Sequence, residues 1–101
     1  MKPEGGVTEV SLENARELLA EYGRPLQVRC YQQDWETYVE TTWIDGMSHT
    51  FSGFGWGYGG TAPDGLAEFF QMIGIEVTSA DLAEWPTEDA GDITYVIGED
   101  Y

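Results

Sequence analysis

"TYVETTWIDGMSHTF", Thr37 to Phe51, decides how this chain is read. Its first half, Thr37 to Ile44, is rich in β-branched and aromatic residues and reads as a strand. Asp45-Gly46 follows, the strongest short hairpin signal in the sequence. Met47 to Phe51 is then the returning strand. Upstream, Leu26 to Tyr31 alternates apolar and polar residues and reads as another strand, joined to Thr37 by the polar, turn-like "QQDWE". Three consecutive short strands with tight connections predict an antiparallel sheet.

Helices flank that sheet in the sequence. Ser11 reads as an N-cap, and Leu12, Ala15, Leu18, Leu19 and Tyr22 follow at helical spacing. Glu13, Glu17 and Glu21 mark the solvent side, Gly23 ends the helix, and Pro25 blocks its continuation. Residues 1–7 read as a loose terminus. A second helix starts near Pro63, with Thr61 or Ala62 at its cap. Leu66, Phe69, Phe70 and Ile73 form its apolar face and Gly74 closes it. Gly65 weakens its first turn. Ser79 caps a short third helix, Ala80 to Trp85, stopped by Pro86. Ile93 to Ile97 is a last strand that could join either edge of the sheet. The expected fold is one α+β domain over residues 1–101: a small antiparallel sheet of three to four strands with two to three helices packed on it.

Charge is the strongest compositional fact. Nineteen Asp and Glu stand against four Lys and Arg, a formal net charge of −15. The cations are Lys2, Arg16, Arg24 and Arg29; from Cys30 onward there are none, while 14 carboxylates lie there. Binding nucleic acid requires cations to displace condensed counterions, so this chain would repel DNA, RNA and anionic membranes. It would attract basic protein surfaces. Cys30 is the single cysteine, which excludes an internal disulfide and fits the cytoplasm. No stretch approaches the roughly 20 apolar residues of a membrane helix.

"FGWGYGGTAP", Phe54 to Pro63, poses the question of a phosphate site. G-x-x-x-x-G-K-[ST] is absent, since no lysine follows Lys2. Gly55 to Gly60 fits G-x-G-x-x-G only with bulky aromatics at variable positions, and Asp64 would repel an anion. The alternation of Phe54, Trp56 and Tyr58 with glycines reads instead as an irregular extended segment whose rings cover the second helix. The other reading is an aromatic cleft for a planar ligand, lined by Trp43, Trp56, Gly57, Tyr58, Gly59 and Gly60. The string from Phe54 to Ala67 resembles a motif of small uncharacterised bacterial and phage domains, F-x-W-G-Y-G-G-[ST]-G-P-x-x-L-A. Ala62 stands where that pattern has glycine. The resemblance implies a phage or mobile-element setting and no particular chemistry.

Catalytic signals are weak. His49, the one histidine, lies on a predicted strand; Ser48 and Ser52 are near it, without a G-x-S-x-G elbow. Glu88, Asp89 and Asp92 lack the spacing of a calcium loop. No enzyme activity, metal or cofactor is expected. The expected function is a small acidic inhibitor, monomer or homodimer, that covers a basic nucleic-acid-binding surface of another protein. Phage anti-defence proteins, anti-CRISPR proteins and DNA mimics among them, share its size and charge, an analogy of composition. The expected contacts are Glu68, Asp81, Glu84, Glu88, Asp89 and Asp92, with Trp56, Tyr58 and Trp85 as anchors. The alternative is a nucleotide-signal binder using the aromatic cleft.

Overall fold

The hairpins build a meander. In the computed structural model, which describes residues 1–85 and 93–96, β1 (Gln27–Gln33) and β2 (Glu36–Thr42) pair antiparallel from Gln33↔Glu36 to Gln27↔Thr42. That register leaves Asp34 and Trp35 as a two-residue turn, both at positive φ (54° and 69°). β2 pairs with β3 (Ser48–Phe51) through Thr42↔Ser48 and Val39↔Phe51. β4 (Ile93–Val96) joins β1 antiparallel, giving the order β3-β2-β1-β4. The last strand thus takes the β1 edge.

The β2–β3 turn differs in detail from the Asp45-Gly46 expectation. Gly46 N–H donates to the Trp43 carbonyl (3.0 Å) and Trp43 N–H to the Met47 carbonyl (2.8 Å). Ile44, Asp45 and Gly46 therefore form a three-residue loop closed by a left-handed glycine (φ 89°), and β2 ends at Thr42. The Asp45 carboxylate adds a bond from Met47 N–H (3.0 Å).

Alternation along the strands sorts the two faces. Val28, Cys30, Val39, Thr41 and Phe51 point into the core and are at most 1% exposed. Arg29, Tyr31, Tyr38 and Glu40 lie on the opposite face, half-exposed. All three helices, α1 (Thr8–Tyr22), α2 (Thr61–Met72) and α3 (Ser79–Ala83), contribute to the core on the inward face. The arrangement is α+β, a four-stranded antiparallel sheet with three helices. Leu66, Phe69 and Phe70 on α2 and Ile73 at its C-cap are all buried, as their spacing requires. Phe51, Phe54 and Phe69 form the centre, with ring centroids 5.2–5.5 Å apart.

Expectations about the N-terminus and the helix ends need correction: α2 begins at Thr61 with Gly60, not Thr61 or Ala62, at its N-cap. α1 begins at Thr8 with Val7 at its N-cap, so Ser11 lies inside the helix. The Ser11 hydroxyl accepts from Gly53 N–H (2.9 Å) and donates to Glu4, a tertiary role that its cap propensity disguised. Residues 1–7 are not loose throughout, because Lys2 and Glu4 are hydrogen-bonded to Asn14 and its neighbours. α3 is capped by Thr78, not Ser79, in a reciprocal capping box with Asp81.

Two glycines admit close approaches. A Cβ on Gly53 would run into the Val7 carbonyl, and one on Gly65 into the Thr8 methyl. Gly65 therefore does more than weaken a helical turn: it lets α1 start against the first turn of α2.

Candidate functional site

The glycine–aromatic segment belongs largely to the core. Phe54 is 1% and Trp56 4% exposed. The Phe54 carbonyl accepts from the Thr37 hydroxyl (2.6 Å), and Gly57 N–H donates to the Leu82 carbonyl (2.7 Å). The Trp56 ring meets Trp85 edge-on at 6.0 Å. Trp85, half-buried, also packs on Phe70 (6.1 Å) and Tyr95 (6.4 Å). Of the three expected anchors only Tyr58 presents much of its ring, at 52% exposure. Trp56 has too little free surface to anchor a partner.

The proposed aromatic cleft fares similarly. Trp43 is 3% exposed, stacks at a tilt on Tyr22 (5.9 Å) and donates its indole N–H to the Gly23 carbonyl (2.9 Å). Its ring closes the α1–β1 corner, whereas Trp56 closes the α3 side. The two indoles leave almost no ring surface on which a planar ligand could stack. Gly57 has its N–H committed to Leu82; Gly59 and Gly60 are exposed.

Carboxylates gather on the helical layer. Glu68, Asp81 and Glu84 are exposed as expected, while Glu88, Asp89 and Asp92 lie outside the described residues. The fold adds exposed carboxylates on α1: Glu17 and Glu21, read from the sequence only as part of a solvent side with Glu13, and Glu9, which the sequence reading did not single out. Glu9 faces Asp64 and Glu68 across a shallow groove of about 450 Å³ between α1 and α2, which Thr61, Gln71 and Ser79 also line. Helical spacing along α1 and α2 carried that signal, but only the α1–α2 pairing brings the two rows together. Arg16 reaches Glu68 at 3.6 Å and Lys2 reaches Glu13 at 2.7 Å. All four side chains are about half-exposed or more, so solvent and salt screen both pairs and neither does much to hold the fold. Other carboxylates (Asp34, Glu36 and Asp45) sit at the hairpin ends of the sheet, so negative charge is concentrated on the helices without being confined to them.

Glu4 is a densely bonded, mostly buried carboxylate. Its carboxylate accepts from Ser11 Oγ (2.6 Å), Asn14 Nδ2 and Ser52 N–H (3.1 Å), and meets His49 Nε2 at 3.2 Å. The side chain is only 13% exposed. Burial pushes its pKa up, but the bonds from Ser11, Asn14, Ser52 and His49 outweigh it and hold the carboxyl below its ordinary value. Serine, histidine and an acid thus meet, yet not as a catalytic triad. The Ser11 hydroxyl donates to the carboxylate rather than to His49, and Ser11 is fully buried. The cluster is a clasp joining the N-terminal segment, α1 and β3. Cys30 is buried, and that burial pushes its thiol up to about 12, away from the reactive thiolate form. Among the described residues no three His, Cys, Asp or Glu converge as metal ligands. None of the described helices is long and apolar enough to cross a membrane.

Comparison with family models, curated proteins and solved structures returns no match. Any functional reading stands on the geometry above.

Proposed function

We propose that the helical layer is an acidic docking face for a basic, nucleic-acid-binding surface of another protein. One observation carries this reading: Glu9 from α1 and Asp64 and Glu68 from α2 converge on one groove, flanked by the exposed carboxylates of α1 and α3. Carboxylates spaced along two adjacent helices stand in for phosphates and pair with lysine or arginine of the target. Tyr58, at the end of the glycine segment, adds an amphipathic ring. Occupying the target's basic surface excludes its nucleic acid, which makes the protein an inhibitor. A host defence complex encountered by a phage or mobile element is the target class to test first, on the analogy of size and charge. The chain acts by binding, with no chemical step.

Low-salt capture from a host lysate, followed by elution with a salt step, tests this. The expected result is a nucleic-acid-binding protein released by salt and displaced by its own nucleic acid. Capture that persists at high salt, or co-binding with nucleic acid, overturns it.

A further inference from the structure

The β1–β2 turn carries an indole that folding does not use. Trp35 is 98% exposed and sits at φ 69°, beside Asp34 at φ 54°. Such a turn favours asparagine or glycine, and a bulky residue at its second position costs stability. Trp35 therefore adds strain and buries nothing, while presenting a large aromatic face to solvent.

What surrounds it has a definite chemistry. Trp35, Glu36, Thr37 and Tyr38 from the β1–β2 hairpin line a cleft of about 480 Å³ together with Glu4, Gly5, Gly6 and Ser52. The Tyr38 hydroxyl donates to the Glu36 carboxylate (2.5 Å), fixing the acid beside the rings. Aromatic faces with carboxylates and no cation lining them match a cationic, planar group. The same sheet face already contains such a contact: the Arg29 guanidinium lies 4.4 Å from the Tyr31 ring centre, and Tyr31 stacks on Tyr38 at 5.4 Å.

We infer that this cleft between the β1–β2 turn and the N-terminal segment receives an arginine side chain of a basic partner protein, held against the Trp35 ring with its charge met by Glu36. The inference rests on the basic-partner reading above, but names a place separate from the α1–α2 groove. Guanidinium is favoured over ammonium because it is planar and stacks on aromatic faces.

The test is a titration of the 15N-labelled protein with Ac-Gly-Arg-Gly-amide and with its citrulline counterpart, a neutral near-isostere. The arginine peptide should give saturable shifts of the Trp35 indole N–H and of the Gly5, Gly6 and Glu36 amides, and the citrulline peptide should not. Trp35→Gly, which suits the turn's backbone, should weaken binding at Gly5, Gly6 and Glu36 by about 3- to 10-fold. Glu36→Gln is the second variant and should act in the same direction. Equal shifts with citrulline, unchanged affinity in both variants, or shifts confined to α1 and α2 each overturn the cleft. The last result leaves the acidic groove standing; shifts confined to the turn, with salt-insensitive capture, would overturn the groove and keep the cleft.

Discussion

Trp56 and Trp35 sit in two connections that the sequence presents very differently. Trp56 stands among glycines in a stretch that looks built for recognition, and it is 4% exposed. Trp35 stands in a polar run that looks like an ordinary turn, and it is 98% exposed. The glycines around Trp56 explain the reversal: at Gly53 they let the backbone pass against α1, so the neighbouring rings drop into the core. The turn around Trp35 has no room to fold its ring inward, because a two-residue connection points its side chains away from the sheet.

The largest expected effect breaks the buried side of this pair. Phe54→Ala and Trp56→Ala should each destabilise by about 3–5 kcal/mol, read as urea midpoints, since each opens a cavity beside Phe69 or Trp85. Trp35→Ala should leave the midpoint nearly unchanged.

Gly65→Ala should cost about 1–3 kcal/mol, because its Cβ meets the Thr8 methyl. Thr8→Ser removes that methyl and keeps the hydroxyl that donates to the Gly53 carbonyl (2.6 Å). The double variant should therefore recover much of the loss; a purely additive cycle would contradict the close approach.

The Glu4 clasp gives a pH dependence of smaller size. Its folded pKa lies below the unfolded value, so its contribution is present above the ordinary carboxylate range and is lost as pH falls through the lowered folded value. Glu4→Gln should flatten that part of the acid stability curve, measured by thermal melts across pH. Smallest of all, Trp35→Gly should stabilise by up to about 1 kcal/mol through relief of the left-handed tryptophan.

These contrasts show what the sequence could express. Element order was readable because period-two and helical spacing report burial directly, and the apolar face of Leu66, Phe69 and Phe70 on α2, with Ile73 at its C-cap, was found residue by residue. Cap positions were less readable. Ser11 and Ser79 have cap chemistry, but Ser11 serves Gly53 and Glu4 across the fold, and Thr78 takes the capping box one residue earlier. The acidic site was half visible. Glu68 and Asp81 were named from charge alone, Asp64 was read only as a charge that repels anions, and Glu9 joins Asp64 and Glu68 only through the packing of α1 on α2. Trp35 was passed over because nothing local distinguishes an exposed ring from a buried one in a polar turn.

The docking claim is tested most directly by the salt dependence of affinity for the captured basic partner, compared between the native chain and Glu9→Gln/Asp64→Asn/Glu68→Gln. The variant should bind more weakly at low salt and lose less affinity as salt rises, because three of the screened charges are gone. Superimposable salt curves for the two proteins would contradict the assignment of the α1–α2 groove.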